Sequence, residues 1–434
     1  MKNTLINRFT GVAAAATTMA LALTGCGSTD SGSDAGSGQL QGRGPITYAA
    51  SKTEVTAAAP LVKAWNAKHP DEKVTVVNLG AVADQSRQLL IQSLQTKSSQ
   101  YAVLNLDVIW TGEFAAHRWI RELDPKLYPM DEMLKAAVAA STYRGKLYAV
   151  PTNIEGGLLY YRTDLLKAAG VESPPTTWAE MKTDCAKVKA TKQGAGVDCY
   201  AGQFDKYEGL TVNFAEAVNS AGGVILDKDG KPDVDTPQAL TGLTTLVDAF
   251  KSGMVPKNAI TLQEESGRQA FQDGKLLFHR QWSYQYALAN ARDGSSKVAG
   301  KFAVTTLPGI GSHPGVSSLG GHVLAISAFA KNSKTASDFV AYLGDAASQR
   351  AGLENFSISP ATAATYDDPA LVKKYPFLPT SKKVLQNAVP RPISVSYGDI
   401  TAAIQEQAYA AITGKKTPAE ALKALQSALE AITG

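Results

Sequence analysis

The 434 residues carry 43 Lys and Arg against 39 Asp and Glu, a formal net charge of +4, and 44% of them are hydrophobic. That balance offers nucleic acid no basic footprint, and beyond the first residues no stretch is apolar for long enough to span a bilayer. About 390 residues past the N-terminal segment exceed what one hydrophobic core usually serves, so two lobes are expected.

Lys2 and Arg8 make a short cationic start, and Gly11 to Thr24 is small and apolar, the length of a secretory h-region. Leu23-Thr24-Gly25-Cys26 follows at once and resembles the bacterial lipobox. The resemblance implies a signal peptide over residues 1–25 and a lipid on Cys26. The alternative is an ordinary signal peptide with a chance Cys. Gly27 to Gly38 is dominated by Gly and Ser, so residues 26–44 are expected to form a flexible tether. Several buried acyl chains hold a protein to a membrane where a single chain does not. A multiply acylated Cys26 would keep the chain on the extracellular face of the cytoplasmic membrane.

From Pro45 the pattern alternates. Ile46 to Ala50 reads as a strand. Pro60 to Lys68 reads as a helix with Leu61, Val62 and Trp65 on one face. Val74 to Leu79 is the next strand, Gln85 to Gln95 a helix, and Leu104 to Trp110 a buried strand. This order predicts a parallel sheet covered by helices. Further on, Leu158 to Arg162 is a strand leading into a helix from Asp164 to Ala169, and Thr177-Trp178-Ala179-Glu180 is a capping box. Asp227 to Lys231 is a polar turn that resembles a calcium loop only loosely. Phe302 to Leu307 and His322 to Ile326 are strands on either side of a glycine-bearing loop, Pro308 to Gly315. Thr417-Pro418-Ala419-Glu420 opens a last helix, with Leu422, Leu425, Leu429 and Ile432 on one face.

Apart from Cys26, only Cys185 and Cys199 are present. In an oxidising compartment they are expected to pair, the alternative being two unpaired buried thiols. Neither has a second Cys or a His at ligand spacing, so no metal site is expected. The five His residues are scattered, and no nucleophile motif or cofactor loop is present, which argues against an enzyme and for no cofactor. Aromatic residues next to acids and amides suit a sugar, which offers an apolar face and a rim of hydroxyls.

Several segments resemble the extracellular sugar-binding proteins of ABC importers. They include Leu106-Asp107-Val108-Ile109-Trp110, Tyr148-Ala149-Val150-Pro151, Gly157-Leu158-Leu159-Tyr160-Tyr161-Arg162, Pro175-Thr176-Thr177-Trp178 and Phe271-Gln272-Asp273-Gly274-Lys275. Asp107 to Trp110, Tyr207-Glu208-Gly209-Leu210 and Arg391-Pro392 look most similar to the trehalose/maltose-binding branch. The resemblance implies an α/β, two-lobed periplasmic-binding-protein-like fold with a ligand cleft and a hinge of several crossings. Residues 45–151 and 304–345 would make the N-terminal lobe, and 152–303 and 346–434 the C-terminal lobe.

The resemblance also implies site residues. Asp107 matches a hydroxyl-accepting Asp at a strand end, with a turn-capping role as the alternative. Asn153 and Glu155 follow the first crossing, Glu155 standing where the branch usually has Asp. Trp282 and Tyr284 match an aromatic that stacks on a sugar ring. Gly320 and Gly321 match a loop whose amides face the ligand, and His322 stands where some relatives carry a stacking Trp. Arg391 matches a donor to hydroxyls, and Glu54 completes the set. The implied function is a monomeric receptor that captures trehalose or a maltose-like disaccharide and delivers it to the transmembrane subunits of an ABC permease. Another oligosaccharide or a polyol is the alternative ligand. A secreted glycoside hydrolase using Asp107 and Glu155 is the alternative of another class.

Overall fold

The computed structural model describes residues 39–434. The signal peptide expected over residues 1–25 and the lipid expected on Cys26 lie outside the described residues. Of the tether expected over 26–44, residues 41–44 are docked on the folded chain. Gln41 N donates to Ser333 Oγ at 2.9 Å, and Arg43 pairs with Glu72 and Asp338 at 2.9 and 2.7 Å.

The alternation at the start of the chain produces β1 (Ile46–Ala50), β2 (Val74–Asn78) and β3 (Val103–Asp107), with β1 parallel to both of the others. The helix after β1 runs from Lys52 to Lys68 and starts earlier than Pro60. Three alanines favour the helix through this stretch, and Pro60 sits inside it, costing one backbone hydrogen bond to Thr56. The expected strand to Trp110 ends at Asp107. Its side chain accepts the Ile109 N–H at 3.1 Å and turns Val108–Trp110 into a 3₁₀ helix.

A short hairpin, β4 (Thr142–Tyr143) and β5 (Lys146–Leu147), precedes β6 (Ala149–Gly156) and β7 (Leu158–Arg162). Then follow β8 (Asp198–Ala201), β9 (Leu276–Gln281), β10 (Phe302–Thr305), β11 (Ser318–Ile326) and β12 (Val389–Pro390). They form two main sheets, each the centre of one α/β lobe. The first has the order β12-β11-β3-β1-β2 with β6 on the other edge of β11, and the second the order β10-β7-β9-β8. The helices Lys52–Lys68 and Ser333–Gly344 cover the first sheet, where Trp65 meets Phe339 edge-on at 5.3 Å. In the second lobe the helices Glu208–Ser220, Pro237–Lys251, Tyr397–Ile412 and Pro418–Thr433 share one core, to which the last contributes Leu422, Leu425 and Leu429.

The boundaries expected at 151/152 and 303/304 fall inside β6 and β10, and the backbone changes sheet slightly later. It crosses at Gly156–Gly157 and returns between Thr305 and Ser318. Gly157 has no room for a side chain. A Cβ there would lie 2.5 Å from the Arg280 guanidinium and 2.7 Å from Glu216 Oε1, a buried ion pair that fills the crossing.

The expected caps are present with one change. Thr417 and Glu420 cap each other's ends of the turn, whereas Glu180 reaches past Thr177 to the Thr176 N–H at 2.7 Å. The Cα atoms of Cys185 and Cys199 are 5.6 Å apart, a disulfide separation. The Asp227–Lys231 stretch is a turn closed on the Asp227 carboxylate.

Candidate functional site

A cavity of about 350 Å³ opens between the two sheets, and all nine residues singled out in the sequence line it. Strand register explains much of this convergence. In the first sheet β11 lies antiparallel between β3 and β6, with His322 opposite Asp107 on one side and Asn153 on the other. Directly paired residues put their side chains on one face, so Asp107, His322 and Asn153 form a row across three strands. Gly320 and Glu155 pair in the next row.

A bulge fixes this arrangement. Thr152 is the extra residue, Pro151 pairs with Val323, and Thr152 Oγ1 donates to His322 O at 3.1 Å. Gly321 has φ +121°, and a Cβ on it would fall 2.6 Å from Asn153 O. Glu54 enters from the first turn of the helix after β1. It accepts from Asn153 Nδ2 at 3.3 Å and faces His322 Nδ1 at 3.3 Å. Asn153 Oδ1 in turn takes the His322 backbone N–H at 2.5 Å.

Arg391 reaches the cavity by the same logic. Leu319 of β11 pairs with Gly156 on one edge and Pro390 on the other. β12 therefore continues the edge that β3 leaves after Asp107, which delivers Arg391 to that carboxylate. Its Nη2 donates to Asp107 Oδ1 and its Nη1 to Glu208 Oε1, each at 2.5 Å. Glu208 is buried and also accepts from Tyr397 and from Thr401 Oγ1 at 2.8 Å. Burial opposes the charge of Arg391, and Asp107, Tyr397 and Glu208 outweigh it, holding its pKa above the ordinary value. Burial likewise raises Glu208, against the pull of Arg391.

The second lobe supplies the aromatic wall. Trp282 follows β9 and is half-buried, with the Arg280 guanidinium 3.9 Å from its ring centroid. Arg280 is fully buried and held by Glu216 at 2.6 and 2.9 Å, so it covers one face of an indole that also lines the cavity. Gly320 makes room for that ring, since a Cβ there would sit 2.8 Å from it. Tyr284 lines the wall with its hydroxyl on Glu265 Oε1 at 2.7 Å. Glu155 accepts from Ser283 Oγ at 2.8 Å. Burial raises its carboxyl to about 7, with Ser283 and His322 opposing.

Six carboxylates line the cavity, from Glu54, Asp107, Glu155, Glu208, Glu264 and Glu265, against Lys52, His322 and Arg391 as cations. Four buried nitrogens of lining residues, Asn105 Nδ2, Trp110 Nε1, His322 Nδ1 and Arg391 Nε, have no hydrogen-bond partner among the described residues. Such orphans are rare unless a ligand or water supplies an acceptor. Trp110, Glu208, Glu264 and Glu265 are not among the site residues the sequence implies, although Trp110 and Glu208 stand inside motifs that carry the resemblance. Trp110 reads there as the end of a strand, and Glu264 and Glu265 carry no local signal beyond a helix start. No group of three or more His, Cys, Asp or Glu among the described residues is placed to hold a metal ion.

Residues 49–350 match the family model described as bacterial extracellular solute-binding protein. A probable ABC transporter-binding protein of Deinococcus radiodurans is 36% identical over 381 residues, 86% of this chain and 89% of that protein. A mannitol-binding protein of Pseudomonas aeruginosa is 24% identical over 76% of each chain. Among solved structures, maltose-bound MalE3 of T. maritima superposes with a TM-score of 0.84 at 30% identity, over 89% of this chain and 99% of that one.

Proposed function

The chain belongs to the bacterial extracellular solute-binding proteins, and on that premise we propose that it is the sugar receptor of an ABC importer. It takes an α-linked glucose disaccharide, trehalose or a maltose-like sugar, and hands it to a membrane permease while anchored through Cys26. The observation that carries this reading is the pairing of two surfaces in one cavity. Trp282 presents an aromatic ring, while Asp107, Arg391, Asn153 and Glu54 present charged and amide groups beside it. A sugar ring needs both, an apolar face to stack and partners for its hydroxyls. The volume lies in the range of small-ligand pockets, and the excess of carboxylates disfavours anionic sugars such as phosphates or uronates. The T. maritima relative bound to maltose supports a disaccharide. The mannitol-binding relative keeps polyols as the competing ligand class.

Calorimetric titration with trehalose, maltose, sucrose, glucose and mannitol, followed by product analysis, tests the reading. Saturable binding of trehalose or maltose with the sugar recovered intact is the expected result. Binding of mannitol alone would replace the disaccharide with a polyol. Glu155, buried in the cavity and raised to about 7, has the property of a glycosidase acid. Hydrolysed sugar in the product analysis would therefore replace the receptor with an enzyme.

A further inference from the structure

The proposed ligand set leaves out the residue at the centre of the cavity floor. His322 stands between Asp107 and Asn153 in their cross-strand row, and the adjacent bulge and Gly321 fix its backbone. Its Nδ1 faces Glu54 Oε1 at 3.3 Å. Charged groups surround it from three elements, Glu54 on the helix after β1, Asp107 on β3 and Glu155 on β6, with Arg391 behind Asp107. Burial opposes a charge on the ring, and the three carboxylates outweigh it, raising its pKa to about 9. An imidazolium carries a proton on each nitrogen. With Nδ1 turned to Glu54, the second donor is Nε2, on a side chain that is 30% exposed and lines the cavity. The buried Nδ1 meets Glu54 as an ion pair and makes no hydrogen bond among the described residues, which leaves the ring's hydrogen-bonding capacity unused by the protein. The buried, partnerless Trp110 Nε1 and Arg391 Nε line the same cavity. They mark polar capacity in the cavity wall that the described residues leave unused.

Resting on the sugar-receptor reading, we propose that His322 contacts the ligand and sets its specificity, donating from Nε2 to an oxygen of the bound sugar. An aromatic ring at this place would take the apolar face of a sugar. A charged donor takes its oxygen-bearing edge instead. The two sugar rings are then held differently, one stacked on Trp282 and one gripped by its oxygens between His322, Asp107 and Glu54. The selected class is a neutral disaccharide whose second ring offers a free hydroxyl or ring oxygen at the floor.

The test uses trehalose and maltose as probes on the purified chain labelled with ¹⁵N-histidine, at pH 7.5, alongside calorimetry of His322→Ala and His322→Gln. The expected result is a shift of the His322 Nε2 resonance on binding, that resonance being assigned by its loss in His322→Gln. His322→Ala should weaken binding roughly tenfold to a hundredfold, the range of a hydrogen bond to a charged group. His322→Gln, which keeps a neutral donor near the Nε2 place, should weaken it less. A purely structural His322 would lower the melting temperature of both variants without moving that resonance. A bound sugar that leaves the resonance unmoved, or a His322→Ala affinity within twofold of the parent, overturns the assignment. Silence in the calorimeter with both sugars overturns the disaccharide reading, and this inference with it, and is told apart by the absence of any heat.

Discussion

Arg391 Nη2 stands 2.5 Å from Asp107 Oδ1, joining a loop near the C-terminus to a strand end 284 positions earlier. The same guanidinium holds Glu208 of the second lobe, so one buried cation serves two carboxylates from opposite walls of the cavity. Arg391→Ala leaves both without it, and breaking such a buried pair costs about 3–5 kcal/mol. The urea midpoint should fall sharply and sugar binding should be lost. Asp107→Asn keeps the Glu208 pair, so it should weaken binding while destabilising less. Equal stability of Arg391→Ala and the parent chain in urea titration would show that the pair contributes nothing.

Trp282→Ala removes a ring that lines the cavity, and affinity should fall by about 2 kcal/mol or more. Gly320→Ala tests the same contact from β11 of the first sheet. Its Cβ would meet the indole at 2.8 Å, so the ring must shift and affinity should drop with circular dichroism unchanged. If both variants bind like the parent in calorimetry, the ring is not a sugar platform.

Two groups make stability fall as pH rises, each over its own pH window. Glu155 keeps its proton in the folded chain to about pH 7, against 4.5 for a free carboxyl. The folded state binds the extra proton between those values, so stability falls as pH rises from about 4.5 to 7. Glu155→Gln should flatten that slope in urea midpoints measured across the range.

His322 holds its charge to about pH 9, against 6.5 for a free imidazole. Its contribution is complete below pH 6.5 and is lost as pH rises through 9. The corresponding slope should vanish in His322→Gln, and also in Glu54→Gln, which removes the main carboxylate facing the ring. A slope that survives in both would assign it to other groups.

The Cys185–Cys199 pair closes a loop with a sequence separation of 14. A bond there should contribute about 3 kcal/mol by restricting the unfolded chain. Alkylation of the unreduced, denatured chain should leave both cysteines unlabelled by mass spectrometry. The double Ser variant should unfold at lower urea. Labelling of both before reduction would show two free thiols.

The strand-helix alternation from Ile46 to Asp107 is legible because each element there is short, local and patterned. Asp107 shows where such reading stops. A continuous apolar run to Trp110 hides a turn, because the stop comes from a side chain capping a backbone N–H two residues on. Pro60 misleads in the other direction, since a proline can sit inside a helix whose other residues favour it. The nine site residues rest on short motifs scattered from Glu54 to Arg391. His322 was noticed only as a departure, because its charge depends on three carboxylates brought to it by β3, β6 and a helix. Glu264 and Glu265 could not be found at all, since only the fold places their helix beside Tyr284.

The first sheet also sets a timetable. β3 has β1 on one edge, and its other edge waits for β11, which is separated from it by residues 108–317. At roughly 5–20 residues per second of synthesis, that edge waits roughly 10 to 40 seconds for its partner. Arg391, which neutralises Asp107, arrives later still. A chain whose first sheet cannot close until its last third exists stays open through most of its own manufacture.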